Sequence, residues 1–185
     1  MTVPVHVRTI RVEARRVGPD ELELTARLLD ERPGGGPRWL GAGAETTVHD
    51  MALTVRVRYP DLVITAVDGA MTTHPYLVCP EALPPLQQLV GLSVARGFTR
   101  AVNERFGRAR GCAHLTALVH ALAPVVRQAA GAAFRDQDRP PDPGEDFWFV
   151  DTCQAWREGG PLASRLRAGD LAGLRALVAR HRAGE

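Results

Sequence analysis

Lysine is missing altogether: all 23 basic side chains among the 185 residues are arginine, an absence that marks a GC-rich genome and carries no functional information. Charge of one sign is missing too. The 23 basic and 21 acidic residues are interspersed and leave a net +2. That balance offers no electrostatic footprint for a phosphate backbone, so nucleic acid is excluded as an expected partner. No stretch approaches the roughly 20 apolar residues that cross a bilayer, and Met1 leads straight into alternating Val and Arg with no signal-peptide apolar region. A cytoplasmic protein with no membrane partner is expected. Cysteine is scarce and odd in number: Cys79, Cys112 and Cys153 are widely spaced. A disulfide framework is therefore not expected, and the thiols stay available for metal or chemistry. Neither a CxxC nor an HExxH motif occurs.

What is present is an ordinary globular composition, 45% hydrophobic and 24% charged. A chain of this length buries a core without disulfide or metal staples, so any metal would serve function first. Residues 5–16 alternate, but the apolar phase slips: Val5 and Val7 share one face, and Ile10, Val12 and Ala14 the other. This predicts a bulge or bend near Arg8 and Thr9. After the turn at Gly18-Pro19-Asp20, Leu22, Leu24, Ala26 and Leu28 alternate with polar residues as a half-buried strand. Residues 33–43, with a Gly-Gly-Gly run and the Trp39-Leu40 pair, form a loop suited to lie over a site. Leu53, Val55, Val57 and Tyr59 predict a third strand facing inward, and residues 62–67 supply a fourth.

The period then changes from two to about 3.6. A short helix is expected within residues 80–90 and another over 98–106. The strongest runs over about 113–134, with Leu115, Leu118, Val119, Leu122 and Val126 at spacings of three and four and with Pro124 placed to kink it. The fold class is α+β: a mainly antiparallel four-stranded sheet packed by this long helix. Residues 1–136 form the expected metal-binding domain and 137–145 a Pro/Asp-rich linker. Residues 146–185 supply an aromatic segment and one amphipathic helix, over 162–182, docking on the core.

Cys79 precedes Pro80 at the mouth of one helix and Cys112 follows Gly111 at the start of the long one. Helix N-termini favour thiolate, and so metal ligation or nucleophilicity. His49-Asp50 opens the third strand, and a strand out and back returns the chain to the same sheet edge, so His49, Asp50, Cys79 and Cys112 are expected to converge. Thiolate with imidazole suits zinc or iron, and three protein ligands with a vacant position suit catalysis. His49, Cys79 and Cys112 are the candidate ligands; Asp50, His114 and Cys153 compete for a fourth place. His114 lies about 200° around an ideal helix from Cys112, which favours it as an acid or base beside the metal. The bland alternatives are a small buried hydrophobe for each Cys, a turn cap for Asp50, and a carbonyl partner for His49.

The runs His49-Asp50-Met51, Pro75-Tyr76 leading to Cys79-Pro80, Leu89-Val90-Gly91-Leu92, Gly111-Cys112-Ala113-His114-Leu115-Thr116 and Asp151-Thr152-Cys153 resemble an uncharacterised bacterial family of unknown function, from about Val7 to Cys153. More distantly, His49 to Ala130 looks like the NifU and IscU iron-sulfur scaffold fold, in which one ligand precedes a strand hairpin, a second follows it and a third opens a long helix. The chain departs from that pattern at His49, where the scaffolds carry Cys, and at Gly111, where many carry His. A site poorer in thiolate implies a single Zn2+ or Fe2+ rather than a cluster.

The leading expectation is a mononuclear zinc or iron enzyme acting on a small organic molecule, with Asp50 or His114 moving protons. The rival is a non-enzymatic carrier or scaffold for iron, zinc or sulfur. A third reading is a homodimer-forming domain with incidental thiols.

Overall fold

The computed structural model describes residues 2–36, 46–137, 147 and 149–182. The loop tip with Trp39 and Leu40, linker residues 138–145 and Trp148 lie outside them. Two compact units emerge, Met1–Arg135 and Asp136–Glu185.

Four strands build the first unit: β1 (Val7–Arg16), β2 (Glu21–Glu31), β3 (Thr47–Arg58) and β4 (Val63–Thr73). They pair antiparallel in the order β1-β2-β3-β4. Strand alternation sends Leu22, Leu24, Ala26 and Leu28 of β2, with Met51, Leu53, Val55 and Val57 of β3, to one buried face. The register stacks these into cross-strand rows, such as Ile10, Leu28, Met51 and Met71, or Ala14, Leu24, Val55 and Val67. The opposite face carries ion pairs suited to water, among them Arg27 with Asp50 and Arg56 with Glu21 and Glu23.

Helix α1 (Phe98–Phe106) leads through a turn into α2 (Ala113–Ala133), which packs on β1, β2 and β3. The buried stripe of α2 is Leu115, Leu118, Val119, Leu122, Val126 and Ala130, the spacing of one helical face. The helix continues through Pro124, which is exposed. Two 3₁₀ turns, Cys79–Ala82 and Pro84–Leu89, replace the short helix expected over 80–90, and the second packs on β4. They fit there because β4 carries Gly69: a Cβ at that position would stand 2.8 Å from Leu86 Cδ1 and 3.1 Å from Leu53 Cδ2.

β1 pairs with β2 without a register break, so the bulge expected at Arg8 and Thr9 is not formed. Arg8 shares the inward phase of Ile10, Val12 and Ala14, and it takes an apolar position because a carboxylate waits beside it. In the second unit, the single helix expected over 162–182 is two, α3 (Pro161–Arg167) and α4 (Leu171–Arg182). Gly169 turns the chain at φ 69°, and Asp170 Oδ1 accepts the Gly173 N–H at 2.8 Å as the cap of α4. Phe147, Val150, Ala163 and Leu166 form this unit's own small core, with Phe149, Trp156 and Leu174 against it. No helix among the described residues is long and apolar enough to cross a membrane.

Candidate functional site

The inward positions of β2 and β3 are apolar until the last row, where the register aligns Arg8 of β1, Asp30 of β2 and His49 of β3. Asp30 is wholly buried and His49 nearly so, the two buried polar side chains among the described residues. Register shifts flank the row, between Asp30 and Glu31 and between Asp50 and Met51. Such irregularities re-aim side chains at the ends of sheets.

Both oxygens of the Asp30 carboxylate accept hydrogen bonds. Arg8 donates Nε to Oδ1 at 2.7 Å and Nη2 to Oδ2 at 2.8 Å, the two-pronged match of guanidinium to carboxylate. His49 Nδ1 lies 2.9 Å from Oδ2, His114 Nε2 3.4 Å from Oδ2, and His6 Nε2 3.4 Å from Oδ1. Burial acts to raise the Asp30 carboxyl, but the Arg8 hydrogen bonds and charge, with the His49 hydrogen bond, outweigh it and hold the group at about 2. Asp30 is therefore an anion at neutral pH.

His114 comes from the first turn of α2, and its ring lies 3.7 Å from that of His49, centroid to centroid. Both imidazoles are pushed below the usual histidine range, chiefly by burial, which exceeds the opposing pull of Asp30. Arg8 pushes both the same way, Arg32 acts on His49, and His49 itself acts on His114. Both rings are thus neutral at neutral pH. Because ionised Asp30 only accepts, His49 carries its proton on Nδ1 and keeps Nε2 as a free lone pair. His114 faces Asp30 with Nε2 at the longer distance of 3.4 Å and turns Nδ1 to Cys112 Sγ, 3.7 Å away. Cys112 is the N-cap residue of α2, its carbonyl accepting the Thr116 N–H and hydroxyl at 2.9 Å each. Gly111 makes this entry possible: a Cβ there would stand 2.9 Å from Phe106 O. Among the described residues, ligand-type atoms of Asp30, His49 and His114 all lie within 4.8 Å of one another.

Of the residues singled out in the sequence, the structure brings His49 and His114 together, sets Cys112 Sγ 3.7 Å from His114 Nδ1 but outside the compact ligand group, and leaves Asp50 and Cys79 aside. Asp50 follows His49 in an extended strand, so it points to the opposite face, where Arg27 holds both its oxygens at 2.7 and 2.6 Å. Cys79 begins the first 3₁₀ turn, ahead of the turn that packs on β4, whereas the cluster draws on β1, β2, β3 and the start of α2. It joins no compact ligand group among the described residues. Cys153 is exposed and belongs to the second unit. Asp30, Arg8 and His6 were not singled out. The signal for Asp30 was an in-phase carboxylate closing the series Leu22, Leu24, Ala26, Leu28.

A one-sided antiparallel sheet whose last inward row is charged, closed by two imidazoles and a thiol at a helix start, defines an α+β protein with a histidine–carboxylate site. The chain belongs to the family described as "Protein of unknown function (DUF2889)", which it matches over residues 6–128. That span contains every residue of the cluster. No curated protein and no solved structure matches the chain, and the relationship to NifU and IscU scaffolds is not supported.

Proposed function

We propose that the chain is a cytoplasmic metal-dependent enzyme acting on a small organic molecule, with a single zinc or ferrous ion on His49 Nε2, His114 Nδ1 and, once the start of α2 draws in around the ion, Cys112 Sγ. The observation that carries this reading is the 2.9 Å bond between His49 Nδ1 and buried Asp30, which leaves the opposite nitrogen unprotonated. Metal-binding histidines are commonly held in this way by a carboxylate behind them. Arg8 already fills both Asp30 oxygens, so Asp30 orients the imidazoles and does not itself ligate. The 3.7 Å between Cys112 Sγ and His114 Nδ1 compares with about 3.5 Å for the edge of a tetrahedral site having bonds of roughly 2.3 Å to sulfur and 2.0 Å to nitrogen. Two neutral imidazoles and one thiolate suit zinc or iron and leave a position for water or substrate.

Such an ion, when bound, polarises a substrate oxygen or lowers the pKa of bound water. The chain's own share is to keep the rings neutral and to fix the His49 tautomer through Asp30. Lyase, cyclase and hydrolase chemistry all use this arrangement.

The test is elemental analysis of untagged protein. Near-stoichiometric zinc or iron is expected in the wild type and in Cys79→Ser, and its loss in His49→Ala and in Cys112→Ser. Metal-free wild type, or metal kept by both site variants, overturns the reading. A brown protein with labile sulfide would instead favour a carrier.

One further observation favours a metal-free reading. His114 stands between Cys112 and Asp30, at 3.7 and 3.4 Å, as a base stands between a thiol nucleophile and the carboxylate that orients it. In that case Cys112 alkylates readily in metal-free protein, and His114→Gln slows the reaction at neutral pH.

A further inference from the structure

We propose that Arg32 anchors the anionic end of the substrate, a carboxylate or phosphate whose uncharged end reaches the His49–His114–Cys112 cluster. The role as substrate anchor rests on the preceding reading of the cluster as the reactive centre; anion binding by Arg32 does not.

Arg32 lies two residues beyond Asp30, and its backbone still follows the β2 to β3 pairing, its N–H donating to Thr46 O at 2.6 Å. The register shift after Asp30 passes over Val48 of β3 and leaves β2 without an extra residue, so alternation along β2 returns Arg32 to the face of Asp30 and sends Glu31 to the other. The two positions are about 7 Å apart along the strand, the length of a small metabolite. Arg32 is half-buried, and its side chain makes no hydrogen bond or ion pair with any described residue. Its neighbour in charge, Arg8, is fully matched by Asp30. Among the described residues, Arg32 thus stands as the cation at this end of the sheet that no carboxylate holds. Its field already reaches His49, where it opposes protonation.

A half-buried guanidinium that no described residue neutralises favours a bound anion, and its planar fork suits a carboxylate or phosphate. A cationic substrate would meet repulsion from Arg32, and a neutral one would leave it unmatched. A ligand spanning Arg32 and the cluster would be held at both ends, which orients its reacting atoms.

The experiment titrates malonate and, separately, inorganic phosphate into full-length protein freed of metal with a chelator, in chloride-free buffer of low ionic strength, by calorimetry or NMR. Saturable binding of at least one anion is expected, and the stronger of the two identifies the anionic group. Arg32→Gln weakens it by about tenfold or more, the scale of a lost charged hydrogen bond, and Arg32→Lys weakens it less. Arg100→Gln, a change on the exposed surface of α1 where Arg100 pairs with Glu104, leaves it unchanged. No saturable binding in the wild type, or unchanged affinity in Arg32→Gln, overturns the proposal. Since the titration uses metal-free protein, its failure is distinct from absence of metal in the elemental analysis.

Discussion

At the scale of the residue, Asp30 is the pivot. Its carboxylate has left water entirely, which costs several kcal/mol unless partners replace the lost hydration. Arg8 and His49 do so, and no buried side-chain polar atom among the described residues lacks a hydrogen-bond partner. The folded carboxyl titrates at about 2 against 3.8 unfolded. A depressed carboxyl stabilises the fold fully above the unfolded value and ceases to do so as pH falls from 3.8 toward 2. The contribution at neutral pH is on the order of 2 kcal/mol. Asp30→Asn should therefore lower unfolding free energy by about that amount at pH 7, and the gap to wild type should close below pH 3.8, as measured by urea denaturation across pH. A gap that persists at pH 2 would mean that shape, not charge, accounts for the loss. The same substitution frees the His49 tautomer and should weaken metal binding by roughly 10- to 100-fold.

At the scale of the element, the site depends on how α2 begins. Gly111 sits in extended backbone that any residue adopts, so the requirement is space rather than conformation: Phe106 O and Cβ would lie 2.9 and 3.1 Å from an added Cβ. Gly111→Ala should push the start of α2 outward and carry Cys112 and His114 with it. Metal affinity should fall at least tenfold while the helical circular-dichroism signal stays intact, because the stripe from Leu115 to Ala130 still packs on the sheet. Unchanged affinity would show that the first turn of α2 is not what positions the thiol.

The elements were legible in the sequence wherever period and packing agreed. Strand alternation and the long helix with its Leu115, Leu118, Val119 and Leu122 stripe follow from apolar spacing alone. The site was only half legible. His49 and Cys112 stood out by residue type, but Asp30 hid in the phase of a hydrophobic strand, and Arg8 imitated a phase slip. Both are polar residues in apolar positions, stabilised by each other, and no single-strand pattern shows a pair formed across strands. Sequence neighbours misled in the opposite sense. Asp50 adjoins His49 yet faces away, since adjacent strand residues never share a face.

At the scale of the whole molecule, the chain has two compact units, and all members of the cluster lie in the first. That unit contains the complete sheet, both of its packing helices, and a core closed by Phe134, which stacks on Tyr59 at 4.3 Å between centroids. A fragment of residues 1–135 should therefore fold cooperatively and bind metal with the stoichiometry of the full chain. Thermal unfolding followed by circular dichroism, together with elemental analysis, checks this. A fragment that fails to fold would show that residues beyond 135 complete the core. The family match ends at residue 128, within α2 and inside this unit.

The row of Arg8, Asp30 and His49 has one more consequence. Sliding β2 by a single position against its neighbours, in the direction that brings Leu29 into the row, would carry Asp30 to the outer face. Arg8 would then lose its counter-charge and His49 its acceptor at one stroke. The residues proposed for chemistry thus also proofread the alignment of three strands, so that a misaligned chain is penalised before it could ever bind a substrate.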